Sequence, residues 1–409
     1  MPESTGAEAA GRRAVVVVNY GSHDLVERNL SSTLTGLPDV LGVVVDNRTS
    51  EAESEAMSDV GRRHGWVVVP SPINVGFGAG VALGVAAARA AGATEFLILN
   101  PDAHLDPAAV VKLLARVREK PMELVAPLVV RPDGTSFAEL QDLYLADGRM
   151  RASRVRPAFI PEADVVRWVS GACFAISSRL WDASGGFDHD YFLYWEDVDL
   201  CWRVWAAGGV VRVDEGLTAV HDEGATHASG GPVGAKSPIY YYFNIRNRLI
   251  FARKHLDRVS IRRWRRGAPR MALLVLLQGG RRQFRSPRRT IAPALRAVRD
   301  GLRGTTGVPR KGARRRSPFT SMCAASVSPD PHRRRPVIPP DTQDSREHVP
   351  PRAKPSWFRP PPDRSRAPSG IPRASPTAVA PPAVLRRRCH GPDRVRPRDT
   401  PAGDHPADP

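Results

Sequence analysis

Cysteine is scarce in this chain. Its four cysteines, Cys173, Cys201, Cys323 and Cys389, are widely scattered and form no CxxC pair, so neither a zinc site nor a disulfide framework is signalled. Long apolar runs are lacking as well. The apolar core MALLVLL at 271–277 falls far short of the roughly 20 residues that a membrane span needs. The amino terminus is polar and carries no apolar signal core, which argues for the cytoplasm. No recognised nucleic-acid module is present, and no internal repeat is visible.

What the chain has in excess is positive charge and, late on, proline. The formal charge is +18, and more than half of the 39 prolines follow Arg316. A stretch with few apolar residues, no helical or strand period and many arginines cannot bury enough surface to offset its ordering entropy. Residues 316–409 are therefore expected to be a disordered Pro/Arg-rich tail, and residues 1–12 a flexible start. Between 262 and 289, arginine clusters flank MALLVLL, a pattern that suits an anionic membrane surface. Nucleic acid is the other usual partner of such charge, but the run interleaves only two aromatics, Trp264 and Phe284, with its arginines, short of a stacking platform. A plain solvated face stays open.

The first 130 residues alternate apolar strand runs with helical patterns. AVVVV (14–18), GVVVD (42–46), WVVVP (66–70) and FLILN (96–100) read as strands, with helices between them and from Pro107 to about Glu119. Strands apolar throughout, separated by helices, imply a mostly parallel sheet covered on both faces, a doubly wound α/β fold. Farther on, residues 164–181 read as one or two strands and a short helix. A helix starts near Glu196 and stops at Gly208-Gly209; a strand over 210–213 leads into a loop around AVHDEG. Residues 239–256 read as an amphipathic helix.

Ligands of open α/β sheets sit at the carboxyl ends of the strands. Those ends carry Asn19 and Tyr20, Asp46 and Asn47, the loop NVGFGAG from Asn74 through Gly76, and NPDAH with Asn100 and Asp102. Four polar or glycine-rich tips on one edge suit a nucleotide. Singly they read as turns and caps, and the glycines as a tight turn with close helix–sheet packing. GFGAGVALG follows the third strand rather than the first, against a nicotinamide site. Asp102, in a loop stiffened by Pro101, suits a hard cation such as Mg²⁺ or Mn²⁺ whose other ligands are diphosphate oxygens and waters; His221 can complete that site.

The stretch YFLYWEDVDLCWRVW (191–205) packs acids against aromatics. Val198, Trp202 and Trp205 share one helix face, and Asp199 and Arg203 are spaced to pair. Glu196 and Asp197 sit where the helix dipole favours anions. They are either a cap or acids prepared for chemistry.

Taken together, VVVVNYGSHDL, VVVDN, INVGFGAG, FLILNPDAHL, the long block from Val169 to Gly208 and AVHDEG resemble family 2 glycosyltransferases, nearest the bacterial rhamnosyltransferase-like branch that acts on lipid-linked or cell-wall glycans. The resemblance runs over about residues 12–256. It implies a GT-A fold over 13–256, with a nucleotide-binding half (13–130) and an acceptor-binding half (131–256), followed by a basic helical extension (257–315). It also implies a nucleotide-sugar donor, with dTDP-rhamnose suggested by the branch, a divalent cation, and Tyr20, Asp46 and Asn74 lining the nucleotide. Asp102 falls on the last acid of a DxD-type motif whose first position is Asn100. Asp197 falls on the base of the family's ED motif, and His221 near the diphosphate.

Direct displacement of a diphosphate needs one base for the incoming hydroxyl and no second acid. Asp197 is the expected base, with Glu196 orienting it, and inversion at the anomeric carbon follows. Gly171, Trp195 and Arg203 are expected on the acceptor side, the aromatics walling a sugar or a polyprenyl-linked acceptor. Two other classes remain: a sugar-nucleotide nucleotidyltransferase, which would want a basic glycine-rich first turn where this chain has NYGSHDL, and a non-catalytic nucleotide-binding scaffold at the membrane.

Overall fold

The computed structural model of the protein describes residues 11–222 and 236–308. Residues 1–10 of the expected flexible start, the loop beyond Asp222 and the tail expected from residue 316 lie outside the described residues.

The first half alternates strictly: β1 (Arg12–Asn19), α1 (His23–Leu34), β2 (Val40–Asp46), α2 (Glu51–His64), β3 (Val67–Pro70), α3 (Phe77–Ala90), β4 (Ala93–Leu99), a short β5 (Ala103–Leu105), α4 (Pro107–Glu119) and β6 (Glu123–Val130). Local chemistry sets the helix ends. Ser50 and Asp106 accept backbone N–H groups at the starts of α2 and α4, and Gly65 closes α2 in the left-handed conformation. Each such cap contributes about 1 kcal/mol.

After β7 (Ser136–Ala138), β8 (Gln141–Tyr144), β9 (Met150–Ala152) and β10 (Val165–Trp168) come β11 (Cys173–Ser177), α5 (Ser178–Ser184), α6 (Glu196–Ala206) and β12 (Val210–His221). The main sheet has nine strands in the order β3-β2-β1-β4-β11-β6-β12-β5, with β7 on β6; β8, β9 and β10 form a separate sheet of three. β1–β4, β6 and β12 run one way, and the reversed β11 sits between β4 and β6. The mostly parallel, doubly wound α/β expectation therefore holds. The expected strand over 210–213 is longer than its sequence pattern, because pairing with β6 and β5 carries it to His221.

Successive residues of the apolar strands serve opposite faces. Val16, Val18, Val45 and Ile98 pack against α3, α5 and α6 through Val85, Leu180 and Leu200. Val15, Val17, Val44 and Leu99 pack against α1, α2 and α4 through Leu30, Met57 and Leu113.

The chain continues as α7 (Pro238–His255), α8 (Arg258–Arg266), α9 (Ala268–Leu277) and α10 (Ile291–Arg303). α7 differs from the amphipathic expectation. Tyr241–Phe243 and Ile245–Ala252 are all buried, because α8, α9 and α10 pack on it while Ile250 and Phe251 join Trp195 and Trp264 in a second core.

Candidate functional site

The sheet's strand order reverses at β1, which leads to β2 on one side and has β4 on the other. Such a switch point opens a crevice at the carboxyl ends of the strands. Tyr20 stands there, 54% exposed. Asn19 is turned inward: its amide donates to Glu53 Oε1 at 2.9 Å and its Oδ1 accepts from Ser22 N at 3.0 Å, so its side chain organises the β1–α1 turn.

Asp46, at the tip of β2, is 2% exposed. Ser54 Oγ donates to its Oδ2 at 2.5 Å, while Oδ1 accepts from no donor among the described residues. An unpaired buried acceptor is costly, and this one borders a cleft of about 520 Å³ lined also by Arg48, Ser54, Ser58, Arg62 and Ser71. Asn47 and Asn74 shape the glycine loop instead. Asn47 Nδ2 donates to Asn74 Oδ1 at 3.1 Å and to the Gly76 carbonyl at 3.2 Å, and Val75 N donates back to Asn47 Oδ1 at 2.9 Å.

The glycines themselves make close approaches. Gly76 has φ +88°, and a Cβ there would lie 2.2 Å from the Phe192 carbonyl oxygen. At Gly80 and Gly84 a Cβ would strike Val18 and Val16. The tight-turn and packing reading of this loop is the one observed.

Beyond β4, the chain turns at Pro101 into β5, and β12 runs antiparallel to β5 with His221 opposite Ala103. This pairing delivers His221 to Asp102: Nε2 lies 3.1 Å from Asp102 Oδ1 and 3.3 Å from Asn100 Nδ2. Phe137 stacks on the imidazole with centroids 4.4 Å apart. Both Asp102 and His221 are buried, and His221 Nδ1 has no partner among the described residues. Neighbouring ligands of an octahedral cation at about 2.1 Å stand about 3 Å apart, so one carboxylate and one imidazole at this separation fit such an ion. Among the described residues no cluster of three or more such ligand side chains occurs.

A backbone turn links this centre to the acids of α6. Asn100 N donates to the Ala172 carbonyl at 2.9 Å, and the adjacent Gly171 N donates to Asp197 Oδ2 at 3.1 Å. A Cβ on Gly171 would press on the Phe77 ring at 3.2 Å while making ordinary contact, 3.6 Å, with Asp197 Cβ, so a larger residue there would have to shift the Phe77 ring slightly. Burial pushes Asp197 up to about 6, against hydrogen bonds from Gly171 and Val198 N–H. Glu196 is pushed well above the usual carboxylate range by burial and by the charge of Asp197, and its Oε2 has no donor or acceptor among the described residues. Asp199 goes the other way: burial would raise it, but His255 at 2.6 Å and Arg203 hold it low. Different surroundings thus separate three acids of one helical turn.

Of Trp195 and Arg203, expected on the acceptor side, Trp195 has its ring in the core, and Arg203 is half-buried and paired within the scaffold. The Trp195 ring is 5% exposed and packs on Phe251 and Trp264 with centroids 5.5 and 6.4 Å away. Arg203 is spent on Asp199 and the Ser184 carbonyl. For Trp195 the reason is α7, which covers the aromatic face of α6.

Two features of the site have no counterpart in the sequence reading. Tyr194 and Trp195 both have positive φ, +64° and +75°, a conformation costing on the order of 1–3 kcal/mol per residue. Asn247, in the middle of α7, donates to the carbonyls of Leu193 and Tyr194 at 2.9 and 2.6 Å. An asparagine in a helix interior was the available signal, since that residue is a poor helix former.

Residues 11–228 match the family model described as glycosyltransferase like family 2. Among curated proteins, the chain is 28% identical over 222 residues to the N-acetylglucosaminyl-diphospho-decaprenol L-rhamnosyltransferase of Mycobacterium tuberculosis, covering 47% of this chain and 70% of that protein. It is 22% identical over 304 residues to the dTDP-rhamnosyl transferase RfbF of Shigella flexneri, covering 73% and 98%. The hexosyltransferase Agl10 of low-salt glycan biosynthesis in Haloferax volcanii is also 22% identical, over 317 residues, 73% of this chain and 93% of that one. Among solved structures, GalNAc-T7 with UDP, GalNAc and Mn²⁺ aligns at 15% identity and a TM-score of 0.45, over 59% of this chain; the chain spans about half, 48%, of that one.

Proposed function

The chain belongs to glycosyltransferase-like family 2, and from that membership we propose that it moves a hexose, with rhamnose the first candidate, from a nucleoside-diphosphate donor to a lipid-linked or cell-wall glycan acceptor, inverting the anomeric centre. The observation that carries this is the backbone link between two chemically different centres, Asn100–Asp102–His221 and Asp197, through Gly171 and Ala172. The relatives' names support the donor and acceptor classes: one is a dTDP-rhamnosyl transferase, another works on a decaprenol-diphosphate sugar.

Asp46, with Oδ2 occupied by Ser54, presents Oδ1 to an N–H donor, such as a base edge. Tyr20, with its ring exposed at the same edge, is suited to stack on that base. Asp102 and His221 would hold the divalent cation, with Asn100 beside them. When bound, such an ion supplies neutralisation of the leaving diphosphate.

Asp197 takes the proton of the acceptor hydroxyl. The acceptor oxygen bonds to the anomeric carbon as the bond from that carbon to the diphosphate oxygen breaks, and the electron pair leaves with the diphosphate. Glu196, whose carboxyl burial and the charge of Asp197 push well above the usual range, is the orienting acid beside it. Catalysis is taken to occur at the inner face of the cell membrane. Among the described residues no helix is long and apolar enough to cross a membrane, but α9 presents exposed leucines beside arginines.

The test is turnover by the full chain. Supplied with dTDP-rhamnose, Mn²⁺ or Mg²⁺ and a prenyl-diphosphate sugar, it is expected to release free nucleoside diphosphate. No release from a panel of dTDP-, UDP- and GDP-sugars overturns the reading.

A further inference from the structure

We propose that Asn247 is a positioning residue: its buried carboxamide holds the left-handed Tyr194–Trp195 turn and thereby sets where α6 begins and where Asp197 points. The inference rests on Asp197 being the base.

α6 starts without a side-chain cap. Its N-cap is Trp195, and Glu196 and Asp197 follow at once. With no side-chain cap, the direction of the first helical turn depends on the backbone of residues 193–195 that leads into it, together with the Gly171 contact to Asp197. Two non-glycine residues with positive φ keep that conformation only where their surroundings over-determine it. The Asn247 amide supplies this, with one hydrogen bond to each of the two carbonyls flanking Tyr194 N–Cα–C.

The amide is itself fixed. Arg246 Nε donates to Asn247 Oδ1 at 2.8 Å, so the oxygen faces the guanidinium and the nitrogen faces the turn. Asn247 is 0% exposed, so no solvent competes for its donors in the native protein. The other asparagine of α7, Asn244, only bonds back to the Tyr240 carbonyl of its own helix. The turn also touches the donor side, since the Phe192 carbonyl accepts from Phe77 N at 3.1 Å at the start of α3.

The experiment compares Asn247→Ala, Asn247→Ser and Tyr194→Gly in the full chain, reading donor KM, kcat, its pH dependence and thermal unfolding. Asn247→Ala is expected to lower kcat about 10²-fold, the cost of misplacing a catalytic group by about 1 Å, with donor KM little changed. The pH midpoint of kcat should move down from about 6 as water reaches Asp197, whose titratable neighbours are Glu196 and Cys201. Asn247→Ser, which keeps one donor, should fall between. Glycine adopts positive φ without strain, so Tyr194→Gly combined with Asn247→Ala should recover about tenfold of kcat if strain retention is the clamp's role.

An unmoved pH midpoint, a kcat loss that only follows the folded fraction, or failure of both Asn247 variants to fold overturns the proposal. Asp197→Asn is assayed alongside. Full turnover there removes the base assignment itself; an inactive Asp197→Asn with an unmoved midpoint in Asn247→Ala removes only the role of Asn247.

Discussion

Gly171 and Asp197, 26 residues apart in the chain, meet as a backbone N–H and a carboxylate oxygen at 3.1 Å. The contact stabilises the ionised carboxylate, and burial opposes it more strongly, so the group titrates near 6 rather than in the ordinary carboxylate range. A base must be ionised to accept a proton. Turnover is therefore expected to rise as pH rises through about 6 and to level off above it, in a rate–pH profile at saturating donor. Asp197→Asn should lower kcat by about 10²–10⁴-fold, the usual contribution of a positioned base.

Glu196 and Asp197 make the fold sensitive to pH in the opposite sense to Asp199. A carboxyl whose folded pKa is raised contributes stability below its unfolded pKa and loses it as pH rises toward the folded value. Glu196 and Asp197 are of this kind. Asp199 is held low, so its contribution is present above about pH 4 and is lost below, as the pH falls through its folded pKa. Glu196→Gln removes a buried acid whose ionisation the fold disfavours. It is expected to stabilise the protein more at pH 8 than at pH 4, read from thermal unfolding at the two pH values.

Asp102 and His221 are joined through a strand of only three residues, Ala103–Leu105, which pairs with the end of β12. If they hold a divalent cation, Mn²⁺ together with a nucleoside diphosphate should raise the unfolding temperature of the wild type. Chelation or Asp102→Asn should abolish that increase, because only ligands that bind the native state stabilise it. Equal protection with and without metal would rule out this role for the pair.

The parallel half of the fold was legible because four all-apolar strands and their intervening helices repeat with two distinct periods. The tips of those strands, Asn19 to Asp102, were legible for the same reason. The pairing of His221 with Asp102 was expected and is found at 3.1 Å, but the strand that delivers it was not legible, since AHL carries no strand pattern of its own and is recruited by its neighbour. Trp195 was misplaced because an aromatic run shows that a face is apolar without showing what covers it; here it is α7. The expected Asp199–Arg203 pair is present. Asn247 could be noticed only as a poor helix former inside a helix; its role stayed hidden because its partners are backbone carbonyls, which no sequence pattern displays.

Gly76 gives a contrast with Gly36. Both have positive φ, but a Cβ at Gly76 would lie 2.2 Å from the Phe192 oxygen, whereas Gly36 has nothing within 4 Å. Gly36→Ala is expected to cost only the backbone strain of a left-handed alanine, about 1–2 kcal/mol. Gly76→Ala adds a backbone clash and should cost about 3 kcal/mol or more, and it should also lower kcat, because the displaced carbonyl belongs to the segment leading into Glu196. Chemical denaturation of the two variants side by side checks the difference.

The last expectation concerns α9. Arg270, Leu273, Leu274 and Leu277 fall at i, i+3, i+4 and i+7, and all are exposed, while Ala268, Ala272 and Leu276 face inward. An apolar stripe bordered by Arg266, Arg270 and Arg281, all exposed, is matched to a surface with an apolar layer beneath anionic headgroups. Each arginine near such a surface contributes about 1 kcal/mol, screened by salt. Full-length protein is expected to co-sediment with vesicles of equal parts phosphatidylglycerol and phosphatidylcholine, less so at high salt, and weakly with phosphatidylcholine alone. Leu273→Glu with Leu277→Glu should weaken that binding at least about tenfold, about 1.4 kcal/mol, while leaving turnover on a water-soluble acceptor analogue unchanged. Binding that is equally strong for the variant, or that duplex DNA competes away while neutral and anionic vesicles bind alike, would reassign the charge to another partner.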